Sequence, residues 1–130
     1  MNIEESDSRE KRISDFMEFA EDVFFIMQRM WDAGDMGGIS KIVGRGLELR
    51  LRVDLINRGD RINRTEVKEL NLMLASDFSD EIGDSVAVKF WGKVREDVGG
   101  EVEPFEDLWR FSCIEDGGKF WRVEDIEIVM

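Results

Sequence analysis

The stretches Asp107-Leu-Trp-Arg-Phe111 and Phe120-Trp-Arg-Val123 decide the fold of this chain. In each of them a tryptophan and an apolar residue stand two positions apart with an arginine between them. This is the period-two pattern of a strand with one buried face. A tight-turn sequence, Glu115-Asp-Gly-Gly118, separates the two. We therefore predict a C-terminal antiparallel hairpin whose apolar face is covered by the rest of the chain.

The composition is that of one acidic domain. The 130 residues are 42% hydrophobic, which is enough for one buried core. Charged residues make up 37% of the chain, and 30 acidic against 18 basic side chains give a net charge of -12. Such a chain is expected to be soluble and to repel nucleic acid and anionic membranes.

Missing residue types exclude several kinds of site. The chain has no histidine and no tyrosine, which excludes histidine-based triads and zinc sites that need imidazole. Cys113 is the single cysteine, so an internal disulfide and a four-cysteine metal site are excluded as well. We expect no metal and no cofactor.

The N-terminal residues 1–12 mix acids with bases and contain no apolar core. We expect them to form a mobile charged tail rather than a signal or transit peptide. No stretch approaches the roughly 18 apolar residues of a membrane span. The expected organisation is a tail over 1–12 and one domain over 13–130, in a cytoplasmic protein.

The first helix is predicted from Asp15, which can cap it together with Glu18, to about Asp32. Its apolar residues recur at spacings of three and four, so we expect it to be packed on more than one side. The methionines and aromatics indicate either plain core or the wall of a ligand pocket. The apolar positions are Phe16, Phe19, Ala20, Val23, Phe24, Phe25, Ile26, Met27, Met30 and Trp31.

A short second helix is predicted from Met36 to Val43, with Asp35 as its cap. The glycines around it could indicate a phosphate-binding loop. However, neither a preceding strand nor a following Lys-Ser or Lys-Thr pair is present, which argues against a P-loop.

Residues 47–58 give conflicting signals. Apolar and charged residues alternate strictly from Leu47 to Leu55, as they do in a strand. Leucine and arginine are good helix formers, Glu48 and Arg52 have helical pair spacing, and Gly59 suits a helix C-terminus. We predict a helix.

The region from Arg45 to Arg64 carries six arginines and three acids, so it is basic in an acidic chain. Arginine forks suit phosphate and carboxylate groups. The region could therefore bind an anionic head group or an acidic partner, or it could be neutralised by the acidic remainder of the chain. The arginines are residues 45, 50, 52, 58, 61 and 64.

The C-terminal half predicts an antiparallel sheet of about four strands, over residues 66–75, 85–96, 103–114 and 119–129. An acidic loop with Asp77, Asp80, Glu81 and Asp84 lies between the first two. Its spacing lacks the alternating ligands and the glycine of an EF-hand, so a solvated loop is favoured over a calcium site.

The last strand changes parity along its length. Trp121 and Val123 share one face, whereas Ile126 and Ile128 would point to the other. A β-bulge near Glu124-Asp125 would return both isoleucines to the core face and bend the sheet.

The order and spacing of these motifs resemble a known family. They are similar to the Tim-forty-four-like domain, the C-terminal domain of the matrix-side adaptor of the mitochondrial inner-membrane import translocase, which also occurs in bacterial proteins. The motifs that carry the resemblance are Trp31-Asp-Ala-Gly-Asp35, Arg58-Gly-Asp-Arg-Ile-Asn63, Val86-Ala-Val-Lys-Phe90, Asp107-Leu-Trp-Arg-Phe111 and Trp121-Arg-Val-Glu-Asp-Ile126.

The resemblance implies the cone-shaped α+β fold of the nuclear-transport-factor-two-like superfamily, with three N-terminal helices packed in a curved antiparallel sheet. It also implies a scaffold function and peripheral association with a membrane, which the net charge of -12 disfavours. The expected function is a non-catalytic binding module that holds an apolar small molecule or a protein partner.

Two candidate sites follow from the two faces of the sheet. An apolar ligand would lie inside the cone, against Phe24, Met27, Trp31, Phe90, Trp109, Phe111 and Trp121. A protein partner, or a second copy in a homodimer, would bind the outer face through Lys89, Trp91, Lys93, Leu108, Arg110, Phe120 and Arg122.

Asp107 supports an alternative, a small enzyme of the isomerase or dehydratase type. Alternation places its carboxylate on the core face beside Trp109, where burial could raise its pKa and make it a general base. A salt bridge between Asp107 and an arginine is the favoured interpretation, because no histidine or tyrosine is present as a catalytic partner.

Overall fold

A computed structural model describes residues 3–59, 63–75 and 85–129, with side chains from residue 8 onward. The fold is α+β, as predicted: three helices precede a four-stranded antiparallel sheet. The elements are α1 (Ile3–Ala33), α2 (Met36–Ile39), α3 (Arg45–Arg58), β1 (Glu66–Leu74), β2 (Ser85–Arg95), β3 (Glu103–Glu115) and β4 (Lys119–Ile128).

Helix α1 begins at Ile3, so the predicted start at Asp15 is wrong. Asp15 lies inside the helix and accepts a hydrogen bond from Lys11 Nζ at 3.0 Å, one turn before it. Mixed charges at this spacing stabilise an exposed helix, although they leave no apolar stripe for sequence analysis to detect. The helix therefore continues without a break through the predicted boundary between residues 12 and 13.

Helix α2 is capped by Asp35, as predicted, since Gly38 N donates to its carboxylate at 2.9 Å. It ends at Ile39, four residues earlier than predicted. Residues 40–42 form turns instead, and Val43 pairs with Val123 of β4 in a parallel bridge. Gly44 N donates to Val123 O, and Val123 N donates to Ile42 O, both at 2.8 Å. This segment covers part of the outer edge of β4.

The segment with conflicting signals is a helix, as predicted. Glu48 and Arg52 form the expected pair at 2.8 Å, and Gly59 closes the helix with a φ of 65°. Leu47 is buried, whereas Leu49 and Val53 are 54% and 56% exposed. Strict alternation on a helix has thus placed apolar residues on two sides of α3.

The sheet is a meander in the order β1-β2-β3-β4. The predicted bulge in β4 is confirmed: Arg110 pairs with Asp125 and Phe111 with Val123, which leaves Glu124 as the extra residue. Ile126 consequently lies opposite Trp109 and packs against the core. A second irregularity in β1 lies between Val67 and Glu69, and sequence analysis did not predict it.

The core lies between α1 and one face of the sheet. Phe24 of α1 stacks on Phe90 of β2 with ring centroids 4.9 Å apart, and it lies 5.3 Å from Trp109 of β3. Phe16, two turns earlier, contacts Phe111 at 5.4 Å and Trp121 at 4.9 Å. Helix α1 contacts α2 as well as the sheet, while Phe19 and Ile26 remain 37% and 39% exposed. The expectation that it is packed on more than one side is therefore met in part, because the side with Phe19 and Ile26 stays open.

The acidic loop with Asp77, Asp80, Glu81 and Asp84 lies outside the described residues, as does Arg61. Among the helices of the described ranges, none combines the length and the hydropathy that crossing a membrane requires.

Phe90→Ala should lower the free energy of unfolding by about 3–5 kcal/mol, because the phenyl ring is fully buried and α1 cannot close the cavity. Urea denaturation followed by tryptophan fluorescence measures this. Phe120→Ala is the matched control: its ring is 44% exposed, and the loss should stay under about 1 kcal/mol. Equal losses for the two variants would contradict the assignment of the two sheet faces.

Candidate functional site

The residues predicted to line an apolar pocket are brought together, with their side chains packed on one another. Five of them are buried: Phe24, Met27, Phe90, Trp109 and Phe111. The rings of Phe90 and Trp109 are 5.0 Å apart, and Phe105 closes the stack on Phe24 at 5.7 Å. Side chains therefore fill the space between α1 and the sheet at this level.

The two remaining pocket residues, Trp31 and Trp121, are half-buried at the margins of the core. Trp31 lies under Arg58, whose guanidinium is 5.2 Å from the ring centroid and donates to Trp31 O at 2.8 Å. Trp121 lines an open cleft of about 370 Å³ beside α1. The other residues of this cleft are Arg12, Asp15, Phe16 and Phe19.

Asp107 lies on the core face of β3, as alternation predicts. Trp109 Nε1 donates to its Oδ2 at 3.3 Å. The predicted salt bridge with an arginine is absent among the described residues, so the indole takes the place of the cation. The carboxylate faces a cleft of about 280 Å³. Its lining includes Phe24, Gln28, Thr65, Glu96, Phe105 and Asp107.

Burial raises the pKa of Asp107, the hydrogen bond from Trp109 opposes this shift, and the negative charge of Glu96 adds to it. A carboxyl group with a raised pKa in a cleft is a candidate general base or general acid. The other side chains that line the Asp107 cleft offer one hydroxyl group, one amide group and further carboxylates. No cluster of three or more potential metal ligands occurs within the described part of the chain.

The predicted interface residues share the face of the sheet opposite the core. Trp91 lies on an inner strand of this outer face, opposite Asn71 of β1 and Glu106 of β3. In the strand register Leu108 lies opposite Lys89, and Arg110 lies opposite Asp125. The predicted interface residues are outside the buried core cluster, and α3 reaches the edge of the face through Arg50, which binds Asp125. Lys93, Arg110 and Phe120 are exposed, and the other four residues are half-buried.

Trp91 is held in place by its neighbours. Lys89 Nζ lies 5.7 Å from the indole centroid and forms a salt bridge with Glu106 at 2.5 Å. Sequence analysis missed Glu106 as part of this site. The register of the hairpin was the signal that could have found it, since residue 106 follows directly from pairing Val88 with Trp109.

Arg122 is similarly engaged at the far end of the outer face. Its Nε donates to Glu124, the bulge residue, which also accepts from Ser112 Oγ at 2.6 Å. Burial raises the pKa of Glu124, but the hydrogen bonds from Ser112 and Arg122 outweigh it, so this pKa lies below its ordinary value. The bulge therefore supplies the outer face with a carboxylate that neutralises Arg122.

The arginine-rich region is largely engaged with the protein itself. Arg50 bridges α3 to the β4 bulge, donating to Asp125 at 3.1 Å and to Ile126 O at 2.5 Å. Arg52 binds Glu48, and Arg58 binds Trp31. Arg45 and Arg64 are exposed. Neutralisation by the acidic remainder of the chain, one of the two predicted roles, accounts for Arg50, whereas Arg52 pairs with an acid of the region itself and Arg58 binds a backbone carbonyl and an indole ring.

Neither a family model, nor a curated protein, nor a solved structure matches this chain. The resemblance to the Tim-forty-four-like domain stays a prediction.

Asp107→Asn should stabilise the protein at neutral pH. With a raised pKa in the folded state, the native protein holds more protons than the unfolded chain, so wild-type stability falls as pH rises above the ordinary value of 3.8. Asparagine removes this penalty and can still accept from Trp109 Nε1. Urea midpoints measured from pH 3 to neutral pH should diverge in favour of the variant. A constant difference between the two proteins would show that the Asp107 pKa is unshifted.

Proposed function

We propose that this protein is a non-catalytic binding module whose outer sheet face holds a protein partner. The observation that carries this proposal is Trp91, a half-buried tryptophan on an inner strand of a sheet face whose predicted interface residues lie outside the buried core cluster. Tryptophan and arginine are the residues in which binding energy concentrates at protein interfaces.

The fixed position of Trp91 favours binding over a chance exposure. Lys89 contacts the indole while its ammonium is held by Glu106, so the aromatic surface is already ordered before a partner arrives. Preorganised side chains lose little conformational entropy on association. Leu108, opposite Lys89, extends the apolar surface beside Trp91, whereas Phe120 lies at the far end of the same face.

The charges of the outer face suit a second copy as the partner. Lys93 and Arg110 are exposed, while Glu127 and Asp125 lie on the neighbouring strand with the same orientation. A face with both signs can be self-complementary across a two-fold axis. A homodimer through this face is therefore the form of the proposal that can be tested directly.

An apolar small molecule inside the cone is the less favoured form. Phe24, Phe90 and Trp109 pack on one another at ring separations of 4.9–5.3 Å, so a ligand there would have to displace core side chains. The open cleft beside Trp121 is the alternative position for an apolar group.

Trp91→Lys should convert a wild-type dimer to a monomer at about 10 µM protein without unfolding it, because the lysine removes the central apolar contact and adds a like charge beside Lys89. Light scattering measures the mass, and circular dichroism checks the fold. Val98→Lys is the control, since it adds the same charge on the exposed β2–β3 connection. A Trp91→Lys protein that remains dimeric, or a wild type that is monomeric, contradicts a dimer through the outer face.

The second candidate is the enzyme with Asp107 as general base. It is favoured by the raised pKa of Asp107 and by the cleft that this carboxylate faces. The expected result is that Asp107→Asn abolishes any isomerase or dehydratase turnover found in a substrate screen, with Asp116→Asn on the exposed β3–β4 turn as the matched control. Turnover that survives in Asp107→Asn retires this candidate.

A further inference from the structure

Two exposed helix faces of this chain carry the same pattern of residues with opposite charge. In each helix a charged residue stands four positions before an apolar one, and this unit recurs after seven residues. The members are Asp15, Phe19, Asp22 and Ile26 on α1, and Arg45, Leu49, Arg52 and Ile56 on α3.

The apolar members of both faces are open to solvent. Phe19 and Ile26 are 37% and 39% exposed, and Leu49 and Ile56 are 54% and 77% exposed. Val53, between the two apolar positions of α3, is 56% exposed and widens that face. The four charged residues are exposed as well. Within one chain, therefore, the two faces do not cover each other.

The spacing of the two faces is matched. Seven residues are two helical turns, or roughly 10.5 Å, so the two apolar side chains on each helix are equally far apart. A seven-residue apolar repeat flanked by charges is the pattern of helices that pack side by side, and the flanking charges determine which helices pair. An α1 face and an α3 face brought together place apolar against apolar and aspartate against arginine.

The charge of the α3 face determines what it can bind. Glu48 borders this face, half-buried and bound to Arg52, whereas Asp54 lies away from it and lines a cleft with Arg50 and Ile126. Two α3 faces would repel each other through Arg45 and Arg52, and two α1 faces would repel through their aspartates. The complement of α3 is an apolar helix with acids at the paired positions, which α1 presents at Asp15 and Asp22, between the exposed Arg12 and Arg29.

We propose that a second copy of this chain docks its α3 face on the α1 face. The cleft of about 370 Å³ beside Phe19 provides a place for one apolar side chain of the incoming helix. Asp15 lines the same cleft and can pair with an arginine of the incoming helix, and Arg12 lines it as well. The helix pair is separate from the outer sheet face, so one chain carries two association surfaces.

The ion pairs already present on the two helices do not prevent this docking. Asp15 is paired with Lys11 at 3.0 Å and Arg52 with Glu48 at 2.8 Å, both within one helix and on the surface. Pairs of this kind contribute little net stability, so their partners can be replaced at small cost. One helix pair is a small interface, and the association should accordingly be weaker than that of the sheet face.

The test uses charge reversal in trans, in chains that also carry Trp91→Lys so that the outer sheet face makes no contribution. Sedimentation equilibrium at up to about 0.5 mM protein detects weak association. The parent Trp91→Lys chain should self-associate. Adding Asp22→Lys or Arg52→Glu should weaken this association about tenfold or more, because each places like charges opposite each other.

Mixing the Asp22→Lys chain with the Arg52→Glu chain should restore association, since the introduced lysine of one chain then faces the introduced glutamate of the other. Glu21→Lys and Arg64→Glu, both exposed and outside the two faces, serve as matched controls and should behave as the parent does. A monomeric parent, unchanged association in both reversals, or a mixture that stays monomeric would each overturn the helix pair. None of these results bears on the sheet-face dimer, which is measured at lower concentration in chains with Trp91 intact.

Discussion

The stack of Phe24 on Phe90, with Trp109 against both, is the contact on which the rest of the structure depends. It joins the first helix to the two central strands, which are far apart in sequence. Because side chains alternate along a strand, directing Phe90 and Trp109 inward also directs Trp91 and Arg110 outward. The same contact therefore fixes both the core and the composition of the outer face.

Much of the fold could be predicted because several local signals agreed. The C-terminal hairpin followed from alternation and glycine turns, and the change of parity between Val123 and Ile126 located the bulge. The failures had local causes as well. The start of α1 was missed because residues 3–14, although helical, are mostly charged or polar and carry no apolar stripe in the sequence. The end of α2 was missed because Val43 has a tertiary partner, Val123, which periodicity cannot reveal.

The sequence could predict on which face of the sheet each candidate residue lies, but it could not predict which residue each one contacts. Alternation correctly put Asp107 inward, yet it could not show that Trp109, two residues along the same strand, supplies the hydrogen bond that a cation was expected to supply. It also could not show whether the aromatic residues around Phe24 enclose a pocket or fill it, since that depends on how closely α1 approaches the sheet. Contacts across the strands, such as Lys89 with Glu106, required the register.

The alternation in residues 47–58 has a consequence beyond the choice between helix and strand. On a helix, apolar residues at every second position cannot all face one core. Helix α3 therefore buries Leu47 and exposes Leu49 and Val53. A single exposed leucine carries no information, whereas a seven-residue repeat with arginine beside it, matched by aspartate on α1, does. The net charge opposes association of two copies, because two chains that each carry a net charge of -12 repel each other. Salt screens the repulsion and the local ion pairs together, so salt dependence cannot separate them. Charge reversal in two different chains can separate the two effects, since Asp22→Lys adds to one chain the same charge that Arg52→Glu removes from the other. The summed net charge of the mixed pair equals that of two parent chains, and restored association then reflects the pairing of the two helix faces alone.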